Sequence, residues 1–155
     1  MESTTLSVNL RSRRRAPLPW IVLALGISVP VLPRLVVPLA APGWYVDDFR
    51  KTFLEDPLPG LGMLAWNSAP FALLALFAWL HLLRRDLAPA VRRARRAGIW
   101  MAAVPVAALG WWWHVPQTAY GMNFAVAFYT FYALALMPVG YAAGRLAARL
   151  FARRS

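Results

Sequence analysis

Four long runs of apolar residues follow one another along the chain and alternate with shorter polar segments. The runs cover residues 18–39, 61–83, 98–115 and 123–147. An α-helix that rises about 1.5 Å per residue needs roughly 20 residues to cross a hydrocarbon core of about 30 Å. The pattern therefore predicts an all-α fold, a polytopic membrane bundle of about four transmembrane helices.

The first apolar run is the least regular of the four. It contains Arg34 and three prolines, so we expect its second half to be kinked or partly unwound. It also follows a basic segment, which raises the alternative of a cleaved signal peptide. A cut after Ala41 would place Leu39 at the third position back, where a small residue is required, so we expect the run to be retained as a helix.

Basic residues collect on one side of the predicted bundle. The chain has 17 Lys and Arg residues against 6 Asp and Glu. The basic residues lie in the N-terminal segment, between the second and third runs, and near the C-terminus, with the exceptions Arg34, Arg50 and Lys51. Short loops rich in Lys and Arg stay cytoplasmic. Both termini are therefore predicted to be cytoplasmic, and the connections at 40–60 and 116–122 to be external.

The domain organisation follows from this topology. Residues 1–16 lack apolar periodicity and are predicted to form a disordered basic cytoplasmic tail. Residues 17–150 are assigned to the transmembrane bundle, and residues 151–155 to a second basic cytoplasmic tail. We expect the N-terminal tail to lie near anionic lipid headgroups.

The first external connection has a helical pattern of its own. Tyr45, Phe49 and Phe53 recur every four residues, while charged side chains occupy the other faces. This spacing predicts a short amphipathic helix over residues 44–55 that lies in the outer interface. It is either a simple connector or a docking surface for an external partner.

The amino-acid composition excludes several classes of catalytic and metal-binding site. Cysteine is absent, which excludes disulfides, thiol catalysis and Cys-ligated metal sites. His81 and His114 belong to opposite ends of the bundle, so they cannot share a metal or a haem, and no metal, phosphate or hydrolase motif is present. We therefore expect no cofactor, no metal, no nucleic-acid partner and no enzymatic activity. All but one of the basic residues are arginine, which favours a GC-rich bacterial source and thus the bacterial inner membrane.

The external side carries the candidate binding residues. Ionisable and polar groups within membrane segments are costly and are therefore functional candidates. The candidates are Arg34, Asp47, Asp48, Asn67, Ser68, Trp112 and His114.

Each candidate has a structural alternative. Arg34 either pairs with Asp47 or Asp48 to hold the external loop, or lines a pocket for an anionic or carbonyl group. Asn67 and Ser68 either complete this pocket or form hydrogen bonds between helices. The tryptophans around Trp112 are either an interfacial anchor or a ligand platform.

The fourth run contains Gly140 and Gly144 in a Gly-x-x-x-Gly motif. Small residues at this spacing allow two helices to approach closely. The motif predicts helix packing, either within the bundle or against another subunit.

Three functions are compatible with these features. The first is a non-enzymatic accessory, scaffold or partner-binding protein, for example of the immunity type, that acts through helix–helix and outer-face contacts with another protein or with itself. The second is a small oligomeric transporter or channel. The third is a membrane enzyme or a lipid- or quinone-binding protein with a polar pocket in the outer leaflet.

Overall fold

The computed structural model describes residues 17–40, 49–82, 87–120 and 124–152, and these residues form an all-helical structure. The predicted tail 1–16 and the candidates Asp47 and Asp48 lie outside the described residues. The all-α prediction is confirmed. The elements in chain order are α1 (Leu18–Ala40), a short π-helical segment (Lys51–Glu55), α2 (Pro57–Leu82), α3 (Pro89–Tyr120) and α4 (Phe124–Ala152).

The helices extend beyond the apolar runs. Both α2 and α3 begin at a proline, Pro57 and Pro89. Proline is favoured at the first helical position, because its fixed φ suits the helix and its missing N–H is not needed there. The start of α3 is helical ahead of its apolar run, because the alanines and arginines that follow Pro89 are good helix formers.

Three helices are long and apolar enough to cross a membrane: α1, α2 and the part of α4 from Val126 to Ala152. At most 33% of the most apolar window in each is buried within the protein, so most of this apolar surface faces outward. Such exposure suits lipid rather than water. Helix α3 is not among the three, since it begins with arginines and carries three tryptophans and His114 near its end.

The helices alternate in direction. Along α1 and α2, Gly26 packs on Phe71 while Arg34 reaches Met63, so the two helices are antiparallel. Helices α3 and α4 are also antiparallel, and α1 runs parallel to α3. The described parts of α1 and α4 lie apart on opposite corners, and every other pair of the four helices is in contact, including α2 and α3 across the centre of the bundle.

This arrangement places the arginines of α3 and α4 together. The start of α3 and the end of α4 lie side by side and carry Arg92, Arg93, Arg95, Arg96, Arg145 and Arg149. We call this part of the bundle the arginine-rich end. The other part, where α1 ends and α2 begins, is the opposite end.

A seam of glycines joins α3 to α4. A Cβ atom on Gly140 would lie 2.5 Å from the carbonyl oxygen of Met101, and one on Gly144 would lie 2.6 Å from that of Ala97. Both glycines of the Gly-x-x-x-Gly motif are thus packed within this chain. The backbones of the two helices meet where a larger side chain would not fit.

Helix α1 is continuous through its three prolines, so of the two alternatives for its second half the partial unwinding is wrong, while the kink stays a prediction. A proline cannot donate a hydrogen bond to the carbonyl four residues earlier, and lipid cannot replace the missing donor. Pro30 therefore leaves the carbonyl oxygen of Gly26 without its backbone hydrogen-bond donor. Ser68 Oγ of α2 donates a hydrogen bond to that oxygen at 3.1 Å.

The same compensation occurs between α2 and α4. Pro70 leaves the carbonyl oxygen of Trp66 without its backbone donor, and Thr130 Oγ1 donates a hydrogen bond to that oxygen at 2.9 Å. Hydroxyl groups on neighbouring helices therefore satisfy two of the carbonyls that intramembrane prolines leave open.

The proline–hydroxyl pair predicts a specific coupling. Ser68→Ala is expected to lower the free energy of unfolding by about 1 kcal/mol in the wild-type background. In a Pro30→Ala background the cost is expected to fall toward zero, because the backbone amide of the new alanine then donates to the carbonyl of Gly26. A double-mutant cycle measured by unfolding in mixed detergent tests this coupling. An equal cost in both backgrounds would contradict it.

The segment before α2 folds onto the start of that helix. The rings of Phe49 and Phe53 lie 5.0 Å apart, which is the contact expected one helical turn apart. A Cβ atom on Gly60 would collide with the carbonyl oxygen of Thr52, so the segment and α2 are in close contact. The described part of the predicted amphipathic helix is helical, and its interfacial position stays a prediction.

Candidate functional site

Polar side chains from three helices are buried together at the opposite end of the bundle. Arg34 belongs to α1, Asn67 to α2, and His114 and Thr118 to α3, and each is at most 1% exposed. We call these four residues the buried polar cluster. Because uncompensated polar groups are costly inside a membrane protein, their hydrogen bonds decide whether they serve structure or binding.

Arg34 ties α1 to α2. Its Nη1 atom donates to the carbonyl of Pro30 at 2.8 Å, and its Nη2 atom donates to Met63 Sδ at 3.1 Å. The guanidinium group also lies close enough to His114 to interact with it electrostatically. One cation therefore stands at the centre of the cluster.

Asn67 uses only one half of its amide group. Its Nδ2 atom donates to the carbonyl of Met63 at 2.9 Å. Its Oδ1 atom is buried and accepts no hydrogen bond. Asn67 thus contributes one unsatisfied acceptor.

His114 contributes a second unsatisfied acceptor. Its Nδ1 atom lies 2.7 Å from the carbonyl oxygen of Gly110, which can only accept, so Nδ1 carries the hydrogen. In the neutral imidazole the lone pair is then on Nε2, which is buried and has no partner. The ring also packs edge-on against Tyr129 at a centroid distance of 5.8 Å, which brings α4 to the site.

The four helices bring hydrogen-bond acceptors and one cation to the cluster, but no carboxylate. Helices α1 to α4 contain no Asp or Glu, so they supply no carboxylate to act with His114. No group of three or more His, Cys, Asp or Glu side chains that could hold a metal ion occurs among the described residues. Two buried acceptors without donors, each costing about 1–3 kcal/mol, instead favour a partner that donates hydrogen bonds.

Two other predicted residues, Ser68 and Trp112, have different surroundings from those of the cluster. Ser68 is buried next to Asn67, but its hydroxyl group serves the carbonyl of Gly26. Trp112 is 75% exposed and lies on the outside of the bundle. Its neighbours turn inward, since Trp111 donates to Ser28 Oγ at 3.2 Å and Trp113 packs on Tyr132.

Sequence reasoning did not identify two residues around the cluster. Thr118 is fully buried and donates to the carbonyl of His114 at 3.0 Å. Tyr129 is fully buried, and its hydroxyl group donates to the carbonyl of Val106 at 2.9 Å. Thr118 follows His114 by one helical turn, and this spacing is the signal that could have identified it.

The second histidine lies at the arginine-rich end. The ring of His81 stacks on Phe77 at 3.9 Å, and its Nδ1 atom lies 3.1 Å from the Phe77 carbonyl. Arg95 donates to the carbonyl of His81 at 2.8 Å. His81 therefore has a packing role and offers a control for His114.

No protein-family model, curated protein or solved structure was found to match this chain. The role of the cluster is therefore inferred from its own geometry.

Proposed function

We propose that the chain is a bacterial inner-membrane protein with four spans and both termini in the cytoplasm. Helix α3 supplies the additional span. Its residues 98–115 carry no charge, and it packs between α1 and α4. The clustering of arginines at one end supports this orientation, since such residues stay on the cytoplasmic side.

The protein acts by binding and not by catalysis, as an accessory or partner-binding subunit. The observation that carries this proposal is the pair of buried acceptors, Asn67 Oδ1 and His114 Nε2, the second of which interacts electrostatically with Arg34. A partner that donates hydrogen bonds to them from the external side would relieve their cost. An immunity-type protein that neutralises its partner is one form of this function.

The lipid-facing surface supports contact with a partner helix. Between α2 and α4 lies an apolar groove of about 260 Å³, lined by residues that include Pro70, Phe77, Met137 and Pro138. Interhelical contact in membranes depends on close packing, and a groove of this kind accepts protruding side chains. The groove is thus open to a partner helix, whereas the buried polar cluster is reached only if the helices around it separate.

A second candidate function is the binding of a small membrane-soluble ligand, such as a lipid or a quinone. Asn67 and His114 are completely buried, so a small molecule that enters between the helices would reach their acceptors more readily than a protein surface would. A transporter is less well supported. The absence of acidic residues from all four helices leaves no carboxylate within them for a proton or cation pathway.

Purification in mild detergent tests the proposal. We expect the wild type to retain a different protein in stoichiometric amount, and His114→Phe and Asn67→Leu to retain at least tenfold less of it, since neither variant offers its acceptor. The yield and helical content of each variant establish that it has folded.

His81→Phe is the matched control and is expected to retain the partner at the wild-type level. Mass spectrometry of an organic extract identifies a small ligand, which would support the second candidate. Equal retention by His114→Phe and His81→Phe would contradict a role for the cluster. A self-oligomer that carries ions across liposomes would contradict the binding function.

A further inference from the structure

A groove opens between α3 and α4 at the arginine-rich end. It has a volume of about 320 Å³ and is lined by Ala90, Val91, Ala94, Ala148, Arg149 and Ala152. Alanines are too small to fill the space between the two helices beyond the glycine seam. The groove therefore combines an apolar floor with a cation on its wall.

A second cation lies one helical turn from Arg149 on the same helix. The guanidinium carbon of Arg145 is 5.6 Å from the centre of the Tyr141 ring. The Arg145 Nε atom is buried and donates no hydrogen bond. Because α3 and α4 contain no acidic residue, neither helix supplies a carboxylate to these two arginines.

The depth of the groove matches that of lipid headgroups. Its residues on α4 follow the apolar run 123–147, and those on α3 precede the run 98–115. In the proposed topology this level lies at the cytoplasmic interface, just outside the hydrocarbon core. Anionic phospholipids of that leaflet are attracted to basic pockets between transmembrane helices.

We propose that this groove binds the headgroup of an anionic phospholipid. Arg149 on the wall of the groove holds the phosphate, Arg145 one turn away adds electrostatic attraction from outside the lining, and the alanine floor contacts the glycerol and the adjoining carbon atoms. The apolar floor distinguishes this occupant from a free phosphate ion, which would gain nothing from it. The inference rests on the proposed orientation of the chain but not on the partner-binding function of the opposite end.

Lipid titration of the purified protein tests the site. The probes are phosphatidylglycerol and phosphatidylcholine, added to the protein in detergent and followed by native mass spectrometry. We expect phosphatidylglycerol to bind at least tenfold more tightly than phosphatidylcholine. The double substitution Arg145→Gln/Arg149→Gln is expected to abolish this preference.

Two further variants separate the groove from general charge attraction. Ala148→Leu fills the groove without changing the charge and is expected to weaken phosphatidylglycerol binding at least fivefold. Arg93→Gln/Arg96→Gln removes the same charge from α3, outside the groove lining, and is expected to change binding less than threefold.

Three results would overturn the proposal: equal binding of the two lipids, equal losses in the two double variants, or displacement of the lipid by millimolar inorganic phosphate. Failure here is distinguishable from failure of the proposed function, because partner retention depends on His114 and orientation is measured by labelling.

Discussion

Replacing Gly140 by leucine is expected to separate α3 from α4 and to lower the free energy of unfolding by about 3 kcal/mol or more. A Cβ atom at this position would lie 2.5 Å from the carbonyl oxygen of Met101 and 3.0 Å from the Cα atom of Ala102. Both atoms belong to the backbone and cannot rotate away. The helices must therefore move apart, and the contacts along the seam are lost with them.

Gly62 provides the matched control for Gly140. It lies in α2, and a Cβ atom there would meet nothing within 4 Å. Gly62→Leu is therefore expected to leave stability unchanged or to raise it slightly, since leucine favours a helix more than glycine does. Unfolding in mixed detergent, followed by circular dichroism, compares the variants. Equal stability of the two leucine variants would show that the seam does not hold the bundle together.

Cysteine labelling is expected to give an all-or-none result for the topology. Because the chain has no cysteine, each introduced thiol is the sole target of a maleimide reagent. In intact spheroplasts, a membrane-impermeant maleimide should label Leu58→Cys at the start of α2 and Gly121→Cys between α3 and α4. Ala88→Cys and Leu150→Cys, at the arginine-rich end, should be labelled only after the membrane is disrupted.

The label on Gly121→Cys decides the number of spans. If α3 crosses the membrane, positions 88 and 121 lie on different sides. Protection of Gly121→Cys in intact spheroplasts, together with its exposure after disruption, would contradict the fourth span. Labelling of Leu150→Cys from outside would contradict a cytoplasmic C-terminus.

The depth of Arg34, Asn67 and His114 along the bundle axis could be predicted from the sequence. Whether a given side chain faces the inside or the outside of the bundle could not. Arg34, Asn67 and His114 stand out because they interrupt apolar runs, and their positions within the runs place them near the same end. Trp111, Trp112 and Trp113 are different, since consecutive helical residues point about 100° apart. Trp111 contacts α1 and Trp113 contacts α4, and only these contacts show that Trp112 faces outward.

The extent of the helices was also only partly predictable. Hydrophobicity marks the hydrocarbon core, whereas a helix continues as long as its backbone hydrogen bonds are made. Helix α3 therefore begins at Pro89, far ahead of its apolar run. The continuity of α1 could not be foreseen from α1 itself, because the hydroxyl group that supports it belongs to Ser68 on another helix.

The proline–hydroxyl pairs also constrain how the sequence can change over evolutionary time. The proline at position 30 leaves a carbonyl without a donor, and the hydroxyl group at position 68 supplies the hydrogen bond. Positions 70 and 130 are related in the same way. If the proline is lost first, the intermediate protein has all of its backbone hydrogen bonds. If the hydroxyl group is lost first, the intermediate has a carbonyl without a donor and is less stable. The order of the two substitutions is therefore constrained, because the hydroxyl group can be lost without cost only after the proline.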